Sequence, residues 1–164
     1  MIELIGCIYL VARYGRRAEL VGYAGELRDA GYEVAADWLS AKYDGLDEGD
    51  SDDRMSVAAR GEWAAEDWDD LGRADTVVCF TEAPDVVGNG RDRGGRHVEL
   101  GAALAWGNRV IVVGHREKCV LLSAAGRVLP DLGGVLGRAR PGRGMTPSPP
   151  PSAPVAPAGK TCGR

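Results

Sequence analysis

The chain has 164 residues, enough for one domain with a buried core, and its composition is ordinary for a globular protein apart from 24 glycines. No apolar run is long enough to cross a bilayer, and MIELIGCIYL lacks the basic start and cleavage site of a secretion signal, so a cytoplasmic protein is expected. The net charge of −4 is uneven: residues 138–164 hold five basic residues and no acidic one, leaving about −9 elsewhere. An acidic body argues against nucleic acid as partner but not against a small nucleoside.

ELIGCIYLVA reads as a buried strand by its continuous apolar run. RRAELVGYAGELRDAG follows with helical spacing: Leu20, Tyr23, Ala24 and Leu27 share a face and Gly31 closes it. YEVAADWL reads as a second strand, and SAKYDGLDEGDSDD as an acidic loop. A long helix fits Arg54 to Arg73, with Asp52 or Asp53 as N-cap. DTVVCF is a third strand, TEAPDVVGNGRDRGG a loop, GGRHVELGAALAWG a helix and NRVIVVG a fourth strand. Strands alternating with helices at this spacing imply an α/β fold, a flavodoxin-like or Rossmann-like parallel sheet with helices on both faces. Ligands of such folds bind outside the carboxyl ends of the strands, here near Tyr9 to Arg13, Trp38, Thr81 to Pro84 and Gly114 to Arg116.

After Gly114 the pattern stops, and residues 115–137 give only weak, glycine-broken signals. Residues 141–164 hold seven of the nine prolines, and a disordered C-terminal tail is expected because so little apolar surface cannot offset its ordering entropy. Cys7, Cys79, Cys119 and Cys162 include no CxxC, and only His97 and His115 could join them, so no metal site is expected. Cys7 and Cys79 lie in strand-like runs, where the thiol behaves as a small hydrophobe in a reduced protein.

Two carboxylates sit on apolar faces. Trp63, Ala64, Leu71 and Ala74 form a stripe on the long helix, and Asp67 falls on it, while Glu66, Asp69, Asp70 and Arg73 are assigned to the solvated face. Glu99 is followed at i+3, i+4 and i+7 by Ala102, Ala103 and Trp106. Singly, each has a structural explanation: a first-turn acid suits the helix dipole, and a buried Asp serves as a cap or salt bridge. Together they flank the third strand and could face one crevice. Two carboxylates in a low-dielectric cleft can divide the work of nucleophile and general acid, the logic of retaining glycosyl transfer. GNGRDRGG lacks both the dinucleotide fingerprint and the P-loop Lys-Ser/Thr, and no nucleophile elbow occurs. His97 reads as a half-exposed first-turn residue, the tyrosines and tryptophans as core or rim, and the acidic runs as solvated.

IYLVARYGRRAEL, AAEDWDDLGRADTVV and GGRHVELGAALAWGNRVIVVG, in this order, resemble the nucleoside 2-deoxyribosyltransferase family, including its deoxynucleoside 5′-monophosphate N-glycosidase relatives. The resemblance spans residues 1–117, the expected domain. It implies Glu99 as nucleophile on C1′, Asp67 as proton shuttle to the leaving base, and Tyr9 as the hydroxyl that holds the nucleophile. Arg13, Gly15, Arg16, Trp38, Gly95 and His97 are the candidate substrate contacts. No cofactor or metal is implied. The partner is a small nucleoside or nucleotide, with neither nucleic acid nor membrane, and the chain is a homo-oligomer if its C-terminus is intact. A rival from another class is a nucleotide-binding module that keeps the fold without catalysis.

Two departures stand out. Where the transferases often carry an aspartate six residues before the glutamate, this chain has Arg93, which puts base choice and transfer over hydrolysis in doubt. Arg13, Arg16, Arg93 and Arg96 suit a substrate phosphate or a solvated rim. At the C-terminus, GRVLPDLGGVLG can be encoded so that the second-base frame reads VEFYPTWEAFL, which looks like the family's C-terminal segment. A frameshift between about Glu117 and Gly126 is therefore expected, which resequencing the gene tests. Residues 118–137 are read as the poorly defined end of the domain and 138–164 as the tail.

Overall fold

The structure is a computed structural model that describes residues 4–43, 56–82, 94–115, 127–130 and 132. Its elements in chain order are β1 (Cys7–Val11), α1 (Arg17–Asp29), β2 (Glu33–Val34), α2 (Val57–Arg73), β3 (Thr76–Phe80), α3 (Gly95–Trp106), β4 (Arg109–Val113) and β5 (Arg127–Leu129). Short 3-10 turns cover Tyr14–Arg16, Asp37–Leu39 and Ala41–Tyr43. The strands form one sheet in the order β2-β1-β3-β4-β5, with every pair parallel. That is the flavodoxin-like order, and its topological switch point lies between β1 and β3.

Register settles which side chains share a face. Tyr9 lies beside Val77 and Val11 beside Cys79, whereas Leu10 lies beside Val78. Alternation then puts Phe80 on the face opposite Tyr9. Tyr23 of α1 stacks on Phe80 at 5.4 Å between ring centroids, so α1 covers that face. The Tyr9 hydroxyl meets Glu99 of α3, so α3 covers the other. The core is the apolar filling on both sides: Ile8, Leu10, Leu20, Leu27, Leu71, Val77, Phe80, Leu100 and Ile111 are almost wholly excluded from solvent. Cys7 and Cys79 are buried among them.

Several sequence expectations change. α2 begins at Val57, and its cap is Ser56, whose hydroxyl accepts the Ala59 amide at 3.1 Å. Asp52 and Asp53 lie outside the described residues. YEVAADWL does not run as one strand: only Glu33–Val34 pair with β1, and Trp38 sits on a 3-10 turn. The chain leaves the ladder because other groups supply the bonds. The Arg17 guanidinium donates to the carbonyls of Trp38 (3.1 Å), Leu39 (2.9 Å) and Ser40 (2.5 Å), and the Trp38 indole to Leu10 (3.0 Å).

Sequence reading missed β5 altogether. Arg127–Leu129 pairs with β4, and Leu132 beyond it is fully buried. A three-residue strand between glycine and proline carries no periodicity to detect. The expected frameshift region and the tail lie outside the described residues.

α3 behaves as expected at its ends and differently along its length. Gly94 precedes it at φ 81° and Gly107 ends it at φ 79°, a left-handed conformation that suits glycine. However, Val98 and Trp106 are mostly exposed, so the helix shows more apolar surface than its sequence suggested. The ring of Trp106 packs against Trp68 of α2 at 5.6 Å.

Candidate active site

Tyr9 is the third residue of β1 and is completely buried. Its hydroxyl donates to Glu99 Oε1 at 2.7 Å. Glu99 is the fifth residue of α3, so it lies in the second turn, beyond the first-turn position that the dipole argument assumed. What holds it is Tyr9. Burial, opposed by the Tyr9 hydrogen bond and helped by the charge of Asp67, pushes the Glu99 carboxyl up to about 7. Burial and the charges of Glu99 and Asp67 push the Tyr9 phenol well above its ordinary 10, so it stays a donor.

Asp67 reaches the same place from α2. Burial raises its carboxyl to about 6, helped by Asp70 and Glu66 and opposed by Lys42. The structure thus brings Tyr9, Glu99 and Asp67, from three elements, into one electrostatically coupled group. Burial pushes both carboxyls toward neutrality, and the charge of Asp67 adds to the rise at Glu99. With Asp67 at about 6 and Glu99 at about 7, the singly protonated pair carries its proton mainly on Glu99, and the form with Glu99 ionised and Asp67 protonated, which acid-assisted displacement requires, is the minor tautomer.

The inward face of α2 differs from the expected stripe. Trp63, Asp67, Leu71 and Ala74 do face inward, but Ala64 is exposed. Asp70, assigned to the solvated face, is 1% exposed. It accepts the Asp37 amide at 2.6 Å and forms an ion pair with Arg73. Glu66 pairs with Lys42 at 2.5 Å. The helix is rotated so that Asp70 faces the segment after β2, whose Asp37 amide supplies a donor for an acid that would otherwise be costly to bury, while the Glu66–Lys42 pair stays at the surface.

The other expected residues divide. Trp38 is half-buried, its indole tied to β1 and its ring 6.4 Å from that of Tyr14. Gly15 is exposed in the turn after β1. Gly95 opens α3, and His97 is half-buried in its first turn, its amide donating to Gly94 at 3.0 Å. Arg16 goes elsewhere. Its guanidinium clasps Glu19 (2.7 and 2.8 Å), donates to the Thr81 carbonyl (2.9 Å) and lies 5.3 Å from the centre of Phe80, on the face opposite Tyr9. There it lines a cavity of about 340 Å³ with Tyr23, Phe80, Glu82 and Gly114.

The described members of the basic cluster, Arg13, Arg16 and Arg96, do not form a solvated rim. Arg96 is 4% exposed and donates to the Phe80 carbonyl at 3.3 Å. Arg13 and Arg16 each approach the buried carboxylate of Glu82 at 3.9 Å. Arg93 lies outside the described residues. Sequence reading missed Glu82, Arg17 and Asp70: Arg17 and Asp70 sit in charged runs and Glu82 just past a strand end, where no periodicity reveals burial. Among the described residues no group of three or more His, Cys, Asp or Glu is placed to hold a metal ion. Nor, among them, is any helix long and apolar enough to cross a membrane.

No family model matches the chain, and no curated protein matches it. Among solved structures it is similar to a 2-deoxyribosyltransferase of Bacillus psychrosaccharolyticus, with a TM-score of 0.56 and 19% identity over 80% of this chain and 90% of that one. At that identity the likeness is one of fold.

Proposed function

We propose that the protein transfers the 2-deoxyribosyl group of 2′-deoxynucleosides through a covalent ester on Glu99. The observation that carries this reading is the hydrogen bond from buried Tyr9 to Glu99, with Asp67 in electrostatic contact. The likeness in fold to an enzyme described as a 2-deoxyribosyltransferase supports it.

The chemistry follows from the groups. An ionised Glu99 stabilises the positive charge that develops at the anomeric carbon. Its carboxylate oxygen then bonds to C1′ as the C1′–N bond breaks, and the bonding pair leaves with the base. Asp67 gives its proton to the departing nitrogen. In the second half, water or a second base attacks C1′ and loses a proton to Asp67, and Glu99 leaves as a carboxylate. Tyr9 keeps its proton throughout and holds one Glu99 oxygen. Gly15, Trp38, Gly95 and His97 stand around the strand ends as substrate contacts.

A second reading has a specific observation behind it. Arg13 and Arg96 stand beside the carboxyl ends of β1 and β3, where a 5′-phosphate would meet positive charge. Turnover that depends on the phosphate would favour a monophosphate N-glycosidase.

The test is intact-protein mass spectrometry after mixing with deoxynucleosides and their monophosphates, with free base measured in the same tubes. A deoxyribosyl adduct and base release, both absent in Glu99→Ala, are expected. A folded protein that binds deoxynucleosides but shows neither signal would establish a non-catalytic binding module instead.

A further inference from the structure

Glu82 is a buried carboxylate that the mechanism above does not use. It stands just past the carboxyl end of β3 and is 5% exposed. A carboxylate buried there is costly unless cations meet it. Two do: Arg13 Nε and Arg16 Nη1, both from the segment after β1, each lie 3.9 Å from its oxygens. It is not sealed in the core, because it lines the cavity of about 340 Å³ at the carboxyl ends of β3 and β4, with Arg16, Glu19, Thr81 and Gly114. Arg16 also clasps Glu19 and donates to the Thr81 carbonyl, and Arg96 donates to the Phe80 carbonyl. These three arginines therefore already have acceptors within the protein.

We propose that Glu82 determines specificity: its buried carboxylate holds Arg13 and Arg16 and so refuses a 5′-phosphate, leaving the site to deoxynucleosides with a free 5′-hydroxyl. The proposal rests on the reading of the substrate as a 2′-deoxynucleoside. A phosphate monoester binds arginine through short, charge-assisted and often bidentate contacts. To form them here it would have to draw Arg13 and Arg16 away from Glu82. That leaves a buried carboxylate without its cations and sets its charge against that of the phosphate. A 5′-hydroxyl demands neither. The exposed Glu19 strengthens the hold on Arg16 from the solvent side. Replacing Glu82 by glutamine keeps the shape of the side chain and releases the charge of Arg13.

The test is calorimetric binding of the common 2′-deoxynucleosides, their 5′-monophosphates and inorganic phosphate to the full chain. Wild type should bind a monophosphate no more tightly than its nucleoside. Glu82→Gln should tighten the monophosphate about tenfold relative to the nucleoside, the worth of one hydrogen bond to a charged group. Arg13→Met in that background should abolish the gain. An unchanged ratio in folded Glu82→Gln, with both ligands weakened together or neither, overturns the proposal. So does a gain that survives Arg13→Met, or a wild type that binds monophosphates more tightly than nucleosides. If Glu82→Gln does not fold, the Arg13 Nε–H resonance of wild type, assigned by Arg13→Lys, decides: unmoved by inorganic phosphate it supports the proposal, and moved it overturns it. Base release is followed separately. A wild type that binds no deoxynucleoside and releases no base would sink the proposed activity. Inorganic phosphate would then decide the role of Glu82 alone: tighter binding to Glu82→Gln supports it, and equal binding overturns it.

Discussion

Glu99 and Asp67 are held against the ordinary preference of carboxylates for water, and this has a measurable sign. Glu99 titrates at about 7 against an ordinary 4.5, so the folded state keeps its proton at pH values where the unfolded chain has lost it. The unfolded state therefore binds fewer protons between those values, and stability falls as pH rises through them. Glu99→Gln removes that cost while leaving an acceptor for Tyr9. Thermal melts should show it more stable than wild type by about 2–3 kcal/mol at pH 8 and indistinguishable at pH 4. Tyr9→Phe works through the same carboxyl in the other direction. Without the hydrogen bond the Glu99 carboxyl rises further; as it already lies above that of Asp67, the alkaline limb of base release should move to higher pH. Loss of a hydrogen bond to a charged group should lower kcat/KM by about tenfold to a hundredfold, measured at the optimum. At this scale the sequence was informative about chemistry and silent about partners. Asp67 and Glu99 were conspicuous as acids among apolar neighbours. Tyr9 looked like any core aromatic until the resemblance gave it a role, because its hydroxyl partner lies ninety residues away.

Among the elements, α2 shows how far periodicity carries. Its existence was legible, but its start and inward face were not. The cap is a serine that sequence reading passed over in favour of nearby aspartates. Ser56→Ala should cost about 1 kcal/mol in denaturant unfolding, with little change in the slope of the transition. The face was misjudged because a residue type was used as a proxy for exposure. Asp70 points inward since the Asp37 amide and Arg73 meet it there, while Glu66 stays at the surface with Lys42. The second strand fails for a related reason. YEVAADWL has strand composition, but Arg17 from the preceding helix takes the carbonyls that a longer strand would have used in the ladder. Long-range donors of this kind leave no trace in local pattern.

For the whole molecule, the fifth strand matters most. β5 extends the sheet beyond β4, and Leu132 seals the end of the core. Leu132→Ala should cost about 2–5 kcal/mol by chemical denaturation, the usual loss for a buried leucine. A loss of that size would mark the residues after Gly126 as part of the domain in their present frame; no loss would favour the frameshift expectation. Alternating strands and helices, by themselves, determined a parallel α/β sheet, and apolar neighbours marked Asp67 and Glu99 as the two acids worth testing. They could do so because buried parallel strands and amphipathic helices each impose a local period on the chain. Strand order, the rotation of α2, the Tyr9–Glu99 bond, the burial of Asp70 and the destination of Arg16 were decided only in three dimensions. Each depends on which donor or acceptor arrives from a distant segment, and no local period encodes that.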